Sequence, residues 1–504
     1  MSNIKNNNRH FSTQHLECNL KRLSVRGGAV TFIAQGAKFF LNIISMMILA
    51  RILTPADFGL IAMVTAITGF ILVFKDMGLS MATVQRSEIN HEQISTLFWI
   101  NVAISVLLML ITLALSPVVG WFYNDQRLVS VTAMLSMSFF FGGLTIQHQA
   151  LLRRQMRLLS LATIDVLASA SGVFVAVISA IAGLGYWSLV WMQIATAAIN
   201  AMGVWTFCRW IPGIPLRKSG VYSMLKFGGH LTGFSLVNYF ARSFDNILIG
   251  RYCGAQSLGL YSRAYSLLMF PIGQITAPMT SVAVPALSRL QSEPERYRRY
   301  YLKSIKLIAY ISMPVVAVMA VLSSEIVEIV LGIEWIDAGP IFKILAVAAI
   351  LQPVSSTVGW IYVSSGNTKR MFLWIVFVTP VLLLFFIAGL AWGAAGVATG
   401  YSICNYIILW PQLSFALKYT PISAKDVLFT IHHPFVLSGL TASVMMIVRA
   451  HALGAPLVLN IFYSLIVGAI AFITLACGVK SFRKDIAEII EIRRILFIKT
   501  KSSS

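Results

Sequence analysis

The sequence predicts an all-α membrane protein with many spans. Three observations carry that fold class. First, 58% of the 504 residues are hydrophobic and only 11% are charged, against about 25% charged in soluble domains. Second, long apolar runs recur along nearly the whole chain, and about 20 such residues cross a hydrocarbon core. Third, the basic residues gather in alternate connections between those runs. Backbone groups cannot stay unpaired in lipid, so each run is expected to be helical. The short alternating segments of an outer-membrane barrel are absent.

Taken in order, residues 1–27 are polar and basic and read as a cytoplasmic N-terminal segment. The apolar run that follows has no small-residue cleavage site, so it reads as a retained first span. Fourteen spans are expected, at 28–50, 57–77, 94–116, 128–150, 160–182, 186–207, 228–250, 258–285, 304–323, 338–362, 370–391, 394–417, 428–449 and 456–479. The eighth and tenth contain Pro271, Pro278 and Pro353 and are expected to kink. The five cysteines are isolated, lack metal-ligand spacing and read as structural. Neither a metal nor another cofactor is expected.

The net charge of +21 could suggest nucleic acid. The basic residues are scattered between apolar runs rather than gathered on one soluble face, so no nucleic-acid partner is expected. With fourteen spans, 30 of the 39 Lys and Arg fall on one side, with both termini, and four on the other: Arg51, Arg127, Arg251 and Arg449. That bias places both termini in the cytoplasm. The tail, 480–504, reads either as an amphipathic helix on the anionic inner leaflet or as a plain cytosolic helix. The longest outer loop, 325–339, is acidic and too short for a soluble domain.

The chain repeats itself at an offset of 200. ARILTPADFGL at 50–60 returns as GRYCGAQSLGL at 250–260, and Gly28/Gly228 and Phe40/Phe240 also match. Spans one and seven run the same way, so the repeat is parallel. Two pseudo-symmetric six-helix lobes around a central cleft are expected, at 28–209 and 227–418. A cytoplasmic linker at 210–226 joins them, and two additional helices follow at 419–479. The first copy has a local logic as well. Thr54 suits a helix cap, Pro55 the first turn and Asp57 the third position after the cap. A tight capped connection is the leading reading of ARILTPADFGL, and substrate contact by Arg51 or Arg251 the other.

Each repeat carries a polar stripe. In span one it is Thr31, Gln35, Lys38, Asn42 and Ser45; in span seven it is Ser235, Asn238, Arg242 and Asp245. Both keep helical spacing and superpose under the offset. Charge at mid-membrane costs about 2.5–3.5 kcal/mol per Lys or Arg, so such residues face a cavity or a partner. Lys38 is the most central, and its sequence neighbours offer no partner. Arg242 and Asp245 can pair with each other at i, i+3. Arg263 and Lys343 can reach the outer interface. His148 and His230 read as helix-end residues, and Asp165, Lys75 and Asp76 are ambiguous. A cleft whose central charge is cationic suits an anionic headgroup such as a phosphate.

ARILTPADFGLIAMV, DMGLSMATVQR (76–86), LLRRQMR (151–157), FDNILIGRYCGAQSLGLYSRAY (244–265) and PALSRLQ (285–291) resemble the bacterial polysaccharide transporter family. That family belongs to the multidrug, oligosaccharidyl-lipid and polysaccharide exporter superfamily. The likeness is to Wzx-type exporters of the colanic acid kind and covers about residues 20–420. It implies flipping of an undecaprenyl-diphosphate-linked oligosaccharide across the inner membrane by alternating access. Polymerases, and by extension chain-length regulators, are the implied partners beside membrane lipids. Candidate substrate contacts are Gln35, Lys38, Asn42, Arg51, Ser235, Asn238, Arg242 and Arg251. Asp245 and Asp165 are candidate ion-coupling acids.

Three alternatives stay open. A cation-coupled multidrug antiporter would use Asp245 or Asp165. A peptidoglycan-precursor flippase would share the fold. An enzyme acting on lipid-linked sugars would have to use the acidic loop with Glu325, Glu328, Glu334 and Asp337; no enzyme is expected.

Overall fold

The computed structural model describes residue 11 and residues 20–75, 78–86, 88–216, 222–451 and 457–485, without the side chains of 20–25, 82, 222–238, 240, 241 and 451. The expectations for Asp76, His230, Ser235, Asn238 and most of the two terminal segments lie outside these residues and side chains. Among the described residues all regular structure is helical. The helices are α1 (Leu20–Ala50), α2 (Pro55–Leu72), α3 (Leu79–Gln85), α4 (His91–Tyr123), α5 (Arg127–Arg154), α6 (Leu158–Ile181), α7 (Trp187–Cys208) and α8 (Tyr222–Arg289). Then follow α9 (Pro294–Val321), α10 (Ser323–Val330), α11 (Ala338–Ala349), α12 (Gln352–Ser364), α13 (Thr368–Gly389), α14 (Gly393–Leu417), α15 (Ala424–His451) and α16 (Leu457–Gly478).

Among the described residues, eleven helical stretches are long and apolar enough to cross a membrane, or twelve if α11 and α12, bent by 44° at their junction, count as one span. Two of the eleven each cover two expected spans. One is 242–289 in α8, which is broken at Gly254 (φ 82°, ψ 177°). The other is 368–417, in which a short 3-10 turn at Leu390–Trp392 separates α13 from α14. The kinks expected from proline fall unevenly. Pro353 follows the α11–α12 bend, whereas the backbone stays helical through Pro271 and Pro278, and the break in α8 is at a glycine in the left-handed region.

Local sequence explains the helix ends. Thr54 and Asp57 form a capping box at the start of α2, with Pro55 in the first turn. Asn90 and Gln93 form another for α4, and Asn124 in the left-handed conformation closes it.

The chain divides into two compact units, residues 1–259 with 330–334, and residues 260–329 with 335–504. In the first, small residues bring helices together. A Cβ on Gly143 of α5 would lie 2.6 Å from the Ser105 side chain of α4. One on Gly203 of α7 would lie 2.9 Å from Ile164 of α6. Without a driving force from water, such close approach is how helices gain contact in a bilayer. In the second unit, α9, α12, α14 and α15 share a core that includes Tyr301, Ile305, Met313, Val354, Trp360, Leu413 and Ile431.

The repeat acquires a physical meaning within the first unit. A Cβ on Gly59 would overlap the carbonyl oxygen of Ala255. A Cβ on Gly259 would overlap that of Pro55. The two glycines of the repeated skeleton therefore each pack on the backbone of the other copy, and the contact is reciprocal at the same offset of 200. A short connection capped by Thr54 leads into one side of this clasp, and Gly254 supplies the turn on the other. Gly59→Ala is predicted to lower unfolding stability in detergent by about 1–3 kcal/mol through overpacking. Gly36→Ala, where nothing lies within 4 Å, should be neutral or slightly stabilising; thermal unfolding of the two variants checks the contrast.

Candidate functional site

The charged residue with the deepest expected place in the membrane, Lys38, does have a partner. Its ammonium lies 3.8 Å from Asp165 Oδ2, on α6. The pair is long-range in sequence, which is why spacing did not reveal it. The other carboxylate oxygen, Oδ1, accepts from Asn200 Nδ2 of α7 at 3.3 Å. Asn200 Oδ1 accepts in turn from Gln149 Nε2 of α5 at 2.9 Å. Four helices of the first unit thus contribute one residue each to a polar chain.

Glycines set this geometry. Gly27 leaves room for Leu158 where α1 starts beside α6, since a Cβ there would sit 2.5 Å from Leu158 Cδ1. Gly203 lies one turn from Asn200, against Ile164, the neighbour of Asp165. Gly172 sits against Thr196 and the Met192 carbonyl. The separation of 3.8 Å exceeds a formed hydrogen bond, and the side chains of Lys38 and Asp165 are 34% and 45% exposed. The ion pair is loose and open to a competing ligand on both members.

The remaining candidates are dispersed. Gln35 and Asn42 are exposed on α1, and Ser45 is buried. Arg51 is exposed beside Gly332. Arg251 stacks over Phe122 at 5.9 Å and Tyr252 at 5.8 Å. Arg242 is exposed, and the ion pairs of the described residues do not join it to Asp245. Asp245 is buried, and its carboxylate accepts from the Asn246 amide at 2.8 Å. Among the described residues no cluster of His, Cys, Asp or Glu could hold a metal.

Several charged or polar residues prove structural. His148 is buried; its Nε2–H donates to the Trp210 carbonyl at 3.1 Å, and its ring stacks on Trp205. Arg154, in the LLRRQMR stretch, is buried and donates to the carbonyls of Thr83 (3.2 Å), Val84 (3.4 Å) and Arg86 at the end of α3, and to Phe11 (3.4 Å). A cation there also suits the helix C-terminus. Glu325 of the acidic loop is tied to Arg449 at 2.5 Å.

Sequence reasoning missed one cluster entirely. Asp485, just beyond α16, accepts from Lys306 (2.9 Å), Tyr310 (3.0 Å) and His433 (2.6 Å), and His433 bonds Ser481 at 2.7 Å. The residues come from α9, α15 and the start of the tail, far apart in sequence. Burial raises the Asp485 carboxyl, but Lys306 and His433 outweigh it and hold it below the usual range.

Residues 48–340, more than half of the chain, match the family described as polysaccharide biosynthesis protein. The chain belongs to this family. It is 26% identical to the lipopolysaccharide biosynthesis protein WzxC of Escherichia coli (strain K12), over 87% of this chain and 89% of that protein. It is 28% identical to the teichuronic acid biosynthesis protein TuaB of Bacillus subtilis (strain 168), over 75% of this chain and 80% of that one. In fold it resembles the lipid II flippase MurJ in an inward closed conformation, with TM-score 0.71 at 14% identity, over 92% of this chain and all of that one. An inward-facing multidrug MATE transporter gives TM-score 0.58 at 14% identity, over 79% of this chain and 95% of that one. The family match and the many apolar helices make this a multi-pass membrane protein of the polysaccharide biosynthesis family.

The lowered carboxyl of Asp485 contributes stability above the ordinary aspartate range, and that contribution is lost as pH falls through the folded value. The protection of residues 479–485 against hydrogen exchange, relative to the intrinsic rate at each pH, is therefore predicted to be high at pH 7 and to fall below about pH 4. Asp485→Asn should show the low protection already at pH 7.

Proposed function

We propose that the protein flips an undecaprenyl-diphosphate-linked oligosaccharide repeat unit across the bacterial inner membrane for surface polysaccharide assembly. The observation that carries the reading is the Lys38–Asp165 pair: a cation on a membrane-spanning helix, a third exposed and loosely held, in a chain of the polysaccharide biosynthesis family. Lys38 binds the diphosphate as a point charge with three donors. Arg242 and Arg251, both exposed, meet the anion or acidic sugars at other stages, and Gln35 and Asn42 offer amides along the same face of α1. The likeness to WzxC, a lipopolysaccharide biosynthesis protein, and TuaB, a teichuronic acid biosynthesis protein, supports the substrate class.

In this reading the chain has fourteen spans with both termini in the cytoplasm, and two six-helix lobes move by alternating access. The two breaks within 242–289 and 368–417 support the count. The reciprocal glycine clasp supports the parallel repeat. A peptidoglycan-precursor flippase and a cation-coupled drug antiporter are the competing readings, since MurJ and MATE proteins share the fold.

The test is flipping in proteoliposomes, with the lipid-linked oligosaccharide placed in one leaflet and lectin access read on the other. Wild type should translocate it, and Lys38→Ala should slow translocation by roughly 10–100-fold, as expected for loss of one charged hydrogen bond of about 1.5–3 kcal/mol. Equal translocation by both would remove Lys38 from the site. Translocation of lipid II in preference to the oligosaccharide lipid would favour the peptidoglycan reading.

A further inference from the structure

We propose that residues 210–216, the first part of the connection between α7 and α8, form a membrane-binding strap whose partner is the headgroup and acyl boundary of the lipid bilayer. The cytoplasmic leaflet is assigned on the topology proposed above. The contact with lipid itself needs neither that topology nor the flippase reading.

The stretch reads WIPGIPL and is neither helix nor strand. Its backbone therefore has no hydrogen-bond ladder of its own. Pro212 and Pro215 bring no N–H. The Gly213 N–H donates to Ser95 Oγ at 2.9 Å, and the Leu216 N–H to Thr96 Oγ1 at 3.1 Å. The Gly213 carbonyl accepts from Trp99 Nε1 at 2.9 Å, and the Trp210 carbonyl from His148 Nε2 at 3.1 Å. Trp210 is buried, and its own Nε1 donates to His91 Nδ1 at 3.2 Å. Gly213 is fitted to the same wall, since a Cβ there would lie 2.8 Å from His91 Nε2. A loop in water leaves such backbone groups to solvent. Irregular backbone at membrane depth has to find their partners in the protein, and side chains of α4 and α5 supply them here.

The other side of the strap is apolar and open. Ile211 is 74%, Ile214 84% and Leu216 45% exposed. This surface is continuous with one suited to lipid. Trp99, which holds the strap, begins an exposed apolar row on α4 that runs through Ala103, Leu107 and Leu110 to Trp121. The two tryptophans are 22 residues apart, about 33 Å along a helix. That is close to the roughly 30 Å of a hydrocarbon core, with a tryptophan at each interface. The strap lies level with the interface that Trp99 marks. Cations flank the apolar stretch: Arg209 is exposed before it, and Arg217 and Lys218 follow in the sequence. Ile211 and Ile214 enter the acyl region, and cations on either side suit the anionic phosphates of the leaflet. A cytosolic protein partner would call for neither the depth nor the internally satisfied backbone.

The first test uses the unmodified chain in nanodiscs whose phospholipids carry a photoreactive diazirine in the acyl chain. Trypsin releases residues 210–217 as one peptide, WIPGIPLR. Lipid adducts on Ile211 or Ile214 are expected, at a yield comparable with that on the exposed row of α4. No adduct on 210–217 while the α4 row is labelled overturns the proposal.

The second test places a nitroxide at Ile211→Cys or Ile214→Cys in a chain whose five native cysteines are replaced by alanine. Leu110→Cys is the lipid reference. Ser292→Cys, exposed in the connection between α8 and α9, is the water reference. Accessibility to oxygen should exceed accessibility to a polar nickel chelate at 211 and 214, as at 110, and the order should reverse at 292. Nickel accessibility at 211 and 214 equal to that at 292 overturns the proposal and leaves the apolar face to a protein partner. Neither test includes a lipid-linked sugar, so their failure leaves the proposed function standing, and a failure to flip leaves the strap standing.

Discussion

A charge placed on a membrane helix must find a partner, and in this chain the partner of Lys38 is Asp165. The rest of the first unit is arranged so that this contact can exist. Gly27, Gly172 and Gly203 let α1, α6 and α7 approach closely, and Asn200 and Gln149 extend the carboxylate's bonds to α5. A buried and tightly bonded pair would be structural glue. Here the contact is long and half open. In the proposed function, the side chain that would meet the lipid phosphate is the same lysine that this pairing keeps compatible with lipid.

The closed packing elsewhere follows a second constraint, the scarcity of hydrophobic driving force between helices in a membrane. Contact comes from small residues and from satisfied polar groups. Gly59 and Gly259 meet the backbone of Ala255 and Pro55, and Tyr239 donates to the carbonyls of Thr65 and Ala66, which Gly69 leaves accessible. Arg154 and Asp485 do related work at helix ends, one collecting carbonyls and the other collecting donors. Each of these groups is polar and central to a junction.

The fold class and the positions of the apolar segments could be read directly, because length and hydropathy are local properties. The capping box at Thr54 was equally readable, since all its atoms lie within four residues. The repeat was visible as a skeleton, Arg followed by Gly-Leu, but its cause was not. That the glycines of the two copies touch each other's backbone is a fact about positions two hundred residues apart. The same limit hid the partner of Lys38 and the cluster around Asp485, where every bond joins different helices. The role of Arg154 was hidden for another reason. A basic residue at a helix end looks the same in sequence whether it faces water or caps carbonyls. Of the expected polar stripes, the α1 stripe could be followed, and its lysine led to α6 of the same expected lobe.

The proposed function requires that a lipid phosphate take Lys38. A cryo-electron microscopy structure of the protein with undecaprenyl-diphosphate-linked oligosaccharide would decide it most directly. Diphosphate density is expected within about 3 Å of the Lys38 ammonium, as for a charge-assisted hydrogen bond, with that ammonium turned away from Asp165. Density for the diphosphate at another site, with the Lys38–Asp165 pair unchanged, would contradict it.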